Sequence, residues 1–209
     1  MNRTHPTGIE WLERREAHPI GSTLDLSIVE RARRGDLEAF ESIVRDRMSA
    51  VYRLTLAIVG NEADAADATQ DAFVAAWREV RSLRDAARLD AWLGRIAINA
   101  ARMVVRGRRR RSVREIRGID PAAMTAVPDP ASTGFSPAER DGRALAAALE
   151  RLDPDRRAIL ALRHLEGRGI HEIAAILGIP EGTAKSRLFT ARKALQTALD
   201  AQQAPETDR

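Results

Sequence analysis

A chain of 209 residues, 44% of them hydrophobic, has the apolar content for one large or two small domains; 34 Lys and Arg against 30 Asp and Glu give a formal charge of +4. The absence of cysteine excludes a disulfide framework, a thiolate nucleophile and a thiolate metal site. No run approaches the roughly 20 apolar residues of a membrane span, and the N-terminus lacks a secretory apolar core, so a cytoplasmic protein without membrane insertion is expected.

Residues 1–24 mix Pro, Gly, His and charge, and read as a flexible arm. A first helix is predicted over 26–34, stopping at Gly35. Asp36 then caps a long second helix to Val59, with Leu37, Phe40, Ile43, Val44, Val51, Leu54 and Ile58 at helical spacing. Gly60 ends it, and Asn61 caps a third helix over 62–80. A fourth covers 89–106, with Trp92, Leu93, Ile96, Ala100 and Met103 as its apolar stripe. From 108 to 135 an arginine run gives way to Pro, Ala and small polar residues with no apolar period, the composition of a linker. Helical grammar restarts at Ser136-Pro137-Ala138-Glu139, a capping box with Pro at the first helical position, and recurs at Asp153-Pro154-Asp155. Four short helices follow, ending near Asp200 before a polar tail, 201–209. No strand-like alternation appears. The reading is an all-α chain of two small helical domains, 25–107 and 136–200, joined by a flexible linker.

Three constellations carry chemistry. On the third helix Asp64, Asp67 and Asp71, with Gln70 beside them, form an acidic face, while Phe73, Trp77 and Val80 fall on the opposite side. A solvated face is the ordinary fate of such charges; docking on a basic protein surface is the functional alternative. Acid–base or metal chemistry finds no histidine partner there. On the fourth helix Arg95, Asn99, Arg102 and Arg106 make a polar stripe suited to phosphates and a base edge. The loop before it, containing Arg84 and Arg88, has the polarity to cup an unstacked nucleotide. Trp92 has the spacing of a core residue, with stacking on a base as the alternative. The run 108–111 adds electrostatic affinity for nucleic acid without sequence information.

The third constellation is GIHEIAAILGIPEGTAKSRLFTARKAL, residues 169–195. Ile170, Ile173, Ala174 and Leu177 fit one short helix, Gly178-Ile179-Pro180 a tight turn, and Leu188, Ala191 and Leu195 the buried side of a second. Between those apolar positions lie Lys185, Ser186, Arg187, Thr190, Arg192 and Lys193, a mixture suited to a helix in the DNA major groove. An ordinary helical hairpin with a solvated basic face is the alternative.

The runs RARRGDLEAFESIV, ADAADATQDAFVAAW, AWLGRIAINAAR and LRHLEGRGIHEIAAILGIPEGTAKSRLFTARKAL, in this order over residues 26–195, resemble the extracytoplasmic-function group of the sigma-70 family of bacterial RNA polymerase sigma factors. The resemblance implies a non-enzymatic initiation subunit, without cofactor or metal, whose partners are core RNA polymerase and promoter DNA. Members are commonly held by a dedicated anti-sigma factor. It implies that Asp64, Asp67, Gln70 and Asp71 meet the polymerase. Arg84, Arg88, Trp92, Arg95, Asn99, Arg102 and Arg106 fall where the family contacts the minus-ten element. Thr183, Lys185, Ser186, Arg187, Phe189, Thr190 and Arg192 fall where it reads the minus-thirty-five duplex. A free-standing helix-turn-helix regulator is the rival, though no segment suggests a dimerisation helix or ligand pocket.

Overall fold

The computed structural model describes residues 25–116 and 137–203, which are helical apart from short connections. The N-terminal helices are α1 (Leu26–Arg33), α2 (Leu37–Val59), α3 (Glu62–Glu79) and α4 (Leu89–Ile116), with single 3₁₀ turns at Val80–Ser82 and Ala86–Arg88 before α4. The C-terminal helices are α5 (Pro137–Glu150), α6 (Pro154–Leu160), α7 (Ile170–Leu177) and α8 (Glu181–Gln203); a π-helical turn, Ala161–Leu165, extends α6.

Local chemistry sets the helix starts. Asp36 accepts the Ala39 N–H at 3.1 Å, Asn61 that of Asp64 at 2.9 Å and Asp153 that of Arg156 at 2.9 Å, each satisfying a first-turn donor that the helix leaves free. Gly60 closes α2 and Gly178 closes α7 with φ of 86° and 66°, a left-handed backbone that a side chain disfavours. The expected Ser136 cap, the arm 1–24 and the linker beyond Ile116 lie outside the described residues.

In the N-terminal bundle, Ala65, Ala68, Ala72 and Ala76 of α3 are wholly buried, as are Ala97 and Ala101 of α4, so the helices approach closely. Two buried hydroxyls join α2 to α3: Thr55 Oγ1 and Thr69 Oγ1 lie 2.8 Å apart, and Thr69 also donates to the Ala65 carbonyl at 2.7 Å. In the C-terminal unit Leu188 and Ala191 of α8 are buried beside Ile173 and Ala174 of α7, the expected apolar seam of a helix-turn-helix.

Several expectations need correction. The fourth helix does not stop at 106 but runs to Ile116, so 108–116 is helix rather than linker. Its core side is Leu93, Ala97, Ile98, Ala101 and Val105, whereas Met103 is 65% exposed. Leu37 and Trp77 also stand partly in solvent.

The two domains pack against each other, with α4 against α6 and α7, and α2 against α6 and the π turn. Ile176 of α7 is buried at Gly94 of α4, where a Cβ would stand 3.4 Å from Ile176 Cγ2. Around it Arg102 pairs with Asp155 at 2.6 Å, and Arg53 with the buried Glu166 at 3.9 Å. Burying an isoleucine stabilises by about 1.5–3 kcal/mol, against about 0–1 kcal/mol for a solvent-exposed ion pair. Ile176 therefore outweighs the Arg102–Asp155 pair, whose carboxylate side stays in solvent, in holding the seam.

Candidate polymerase and promoter interfaces

The exposed side of α3 carries Asp67, Gln70 and Asp71, as expected, joined by Val74 and Trp77. Asp64 does not share it fully: it is half-buried, accepts a hydrogen bond from Asn61 at 2.8 Å and pairs with Arg108 of α4 at 3.0 Å. Gln70 faces a groove between α2 and α3 of about 620 Å³, lined by Leu37, Phe40, Val44, Met48, Val74 and Trp77. Trp77, expected to point inward, packs against Phe40 at the groove's rim, the ring centroids 5.0 Å apart and the rings tilted by 55°. Acid beside an open apolar groove is the arrangement of a protein-docking surface, because the groove supplies area and the carboxylates supply orientation. Periodicity hid the groove: Leu37, Phe40 and Val44, which line it, share the helical spacing of the core residues Ile43, Val51, Leu54 and Ile58, and Met48 lies outside that spacing.

On α4 the sequence-predicted residues separate into two groups. Arg84, Arg88, Trp92 and Arg95 line one cleft of about 390 Å³, together with Leu83, Asp85, Ala91 and Ala175 of α7. Asp85 fixes the loop by accepting the Ala87 N–H at 2.9 Å and pairing with Arg88 at 3.5 Å. Trp92 is half-buried, so its ring both packs on the core and walls the cleft. Arg102 and Arg106 instead line a second cleft of about 540 Å³ with Arg109, Asp155 and Arg187. Asn99 lies between, exposed, with Oδ1 accepting from Arg102 at 3.2 Å. Arg95, though exposed, donates from Nε and Nη2 to the Ile176 and Ala175 carbonyls of α7 at 3.2 and 2.8 Å, which leaves its other N–H groups open.

In α8 Lys185, Phe189 and Arg192 line one shallow cleft with Arg163 and Ile170. Phe189 is 72% exposed, which no packing requirement explains. Thr190 is exposed alongside it, and Ser186 donates to the Thr183 carbonyl at 3.0 Å near the helix start. Arg187 is turned away from this group toward α4. Arg192 Nε approaches His164 Nε2 at 3.4 Å. Burial first, then the charges of Arg192 and Arg163, hold the His164 imidazole below the usual histidine range. At the start of α7 the Gly169 N–H donates to Glu172 at 2.9 Å; that bond, followed by Arg168, holds the carboxyl below its usual range.

Among the described residues no group of three or more His, Asp or Glu side chains is placed to hold a metal ion, and no helix is long and apolar enough to cross a membrane.

Sigma-70 region 2 matches residues 43–111, and Sigma-70 region 4 matches residues 142–195. The extracytoplasmic-function sigma-E factor of Escherichia coli is 34% identical over 179 residues, covering 82% of this chain and 92% of its own length. This chain belongs to the extracytoplasmic-function group of the sigma-70 family. Sigma-H factor of Pseudomonas aeruginosa is 32% identical over 186 residues, covering 84% of this chain and 93% of that protein. Among solved structures, the Bartonella quintana sigma factor RpoE in complex with the anti-sigma factor NepR aligns with a TM-score of 0.57 at 27% identity, over 78% of this chain and 98% of that one. CnrH, solved with the cytosolic domain of CnrY, aligns with a TM-score of 0.60 at 28% identity, over 85% of this chain and 97% of that one. As an RNA polymerase sigma factor, the chain directs promoter recognition and transcription initiation.

Proposed function

We propose that three separate surfaces divide the work of this sigma factor. The exposed α3 face, Asp67, Gln70 and Asp71 with the groove at Val74 and Trp77, docks on core RNA polymerase. The α4 surface, Arg84, Arg88, Trp92, Arg95, Asn99, Arg102 and Arg106, takes the opened minus-ten strand. The outer side of α8, Lys185, Ser186, Phe189, Thr190 and Arg192 with Thr183 at its start, reads the minus-thirty-five duplex, and Arg187 meets backbone phosphate. Asp64 supports the first surface by tying α3 to Arg108 rather than by touching the polymerase.

The observation that carries this reading is the outward side of α8. Its apolar seam is buried against α7 while an aromatic ring, a lysine and hydroxyls are left in solvent on one helix of major-groove size. A free-standing operator-binding regulator would have no use for the second exposed acidic and apolar surface on α3. The protein acts as a non-enzymatic subunit in the cytoplasm, where the polymerase is, and an anti-sigma factor fits as its negative regulator.

In vitro transcription on a genomic fragment library tests the assignment. Core polymerase with the chain should start at a discrete set of promoters sharing two spaced elements, and core alone should not. Operator-like binding by the chain without polymerase, and no new transcripts with it, would favour the regulator instead.

A further inference from the structure

We infer that residues 8–15 of the chain's own N-terminal arm seat in the apolar groove between α2 and α3, and must leave it before polymerase docks there. The competition, though not the seating, rests on the assignment of that groove to polymerase. Aromatic rings line the groove, Phe40, Tyr52, Phe73 and Trp77 among them, and Leu37, Met48, Val74 and Trp77 each leave more than a third of their surface in solvent. A contiguous exposed apolar surface of this kind marks a binding site. Its rim carries acids. Glu41 lines it, and Asp67 and Asp71 share the i, i+3, i+4, i+7 stripe of α3 with Gln70 and Val74, which line it too.

The arm carries the complement of that surface. Ile9, Trp11 and Leu12 are set among glutamates and arginines, and Arg14 and Arg15 follow closely. At helical spacing Trp11, Leu12 and Arg15 fall on one side and Glu10 and Glu13 on the other. A seated turn therefore gives an indole and an aliphatic side chain to the groove and a guanidinium to Asp67 or Asp71. The connection permits it. α1 spans about 12 Å, and only residues 34–36 join it to α2, so the arm leaves the bundle within about 20 Å of Leu37. Residues 16–24 reach about 30 Å when extended. A tether of that length sets an effective concentration on the order of 1 mM, so weak contacts suffice to keep the groove occupied in the free chain. Occupation of about half to nine-tenths weakens the apparent affinity for polymerase about twofold to tenfold.

The chain contains no cysteine, so Thr7→Cys carries a single nitroxide beside the apolar residues of the arm, and the full-length chain is read through its methionine methyls by NMR. The Met48 methyl, in the groove, should broaden strongly, and the Met103 methyl, exposed on α4 outside it, should not. Trp11→Ala with Leu12→Ala changes no residue of the helical bundle. It should abolish that difference and tighten binding to core polymerase about twofold to tenfold. Equal broadening of Met48 and Met103 overturns the seating. Broadening of Met48 only by a nitroxide on a second, differently labelled copy overturns it too, because the occupant would then be another chain's arm. Val74→Glu separates the seating from the docking, and should weaken core binding. If it and the arm variant both bind core as the wild type does, the groove is not the polymerase site, and the docking reading fails while the Met48 result stands. If Val74→Glu weakens core binding and the arm variant does not strengthen it, the competition is overturned.

Discussion

Arg95 and Asn99 lie one turn apart on α4, yet one guanidinium is engaged by the protein's own backbone while the neighbouring amide faces solvent. Sequence spacing placed both on one stripe correctly and had no means of showing which would be occupied, because the partner carbonyls belong to a helix eighty residues away. Phe189 illustrates the opposite case. Its position on the outer side of α8 follows from helical spacing alone, and its 72% exposure fits a contact that exists only on DNA. Phe189→Ala is expected to leave thermal stability within about 0.5 kcal/mol while costing promoter affinity about 1–3 kcal/mol, read by melting curves and duplex binding of the holoenzyme. His164 supplies a pH prediction. Its lowered pKa means that the folded state favours the neutral ring, so its contribution to stability is present above the unfolded value, about 6.5, and declines as pH falls through the folded one. An NMR titration should place the His164 midpoint below about 6.5, and His164→Gln should flatten that part of the stability profile.

At the scale of elements, the exposed acids of α3 lie beside the groove that Gln70 lines, and the docking proposal treats the two as one surface. Reversing charge at Asp67 and Asp71 should weaken core binding by about 1–3 kcal/mol for each partly desolvated pair while leaving helicity intact by circular dichroism. Undiminished co-purification of the double variant with core enzyme would remove α3 from the interface. Helix starts were legible at Asp36, Asn61 and Asp153 because an N-cap is local chemistry, a short side chain meeting an N–H two or three residues on. The end of α4 was not. Arginine is a good helix former, and a helix projecting into solvent needs no apolar stripe, so loss of apolar period at 108 marked the edge of the core rather than the end of the helix. The same helix shows why Met103 misled: two of its core positions are Ala97 and Ala101, which carry little weight in a hydrophobic pattern.

At the scale of the molecule, two helical domains were legible from the composition break between them, but their docking was not. It depends on the fit of Ile176 to Gly94 and on Glu166, buried beside Arg53, none of which has a signature within either domain's own pattern. Gly94→Leu should push Ile176 out of its seat. Wild-type protein is expected to melt in one calorimetric transition and this variant in two, as the domains lose their shared core. Two transitions in both would mean that the seam contributes no coupling.

In the proposed division of work α8 reads sequence while the basic end of α4 only adds affinity. Selection of promoters from a randomised library by holoenzymes carrying Lys185→Ala, Thr190→Ala or Arg110→Ala tests it most directly. The first two should shift the preferred minus-thirty-five sequence, at a cost of about 1–3 kcal/mol per affected base pair. Arg110→Ala should return the wild-type consensus with lower affinity for every sequence and a shallower salt dependence. An unchanged consensus from Lys185→Ala and Thr190→Ala would contradict the account, because α8 would then not be the reader.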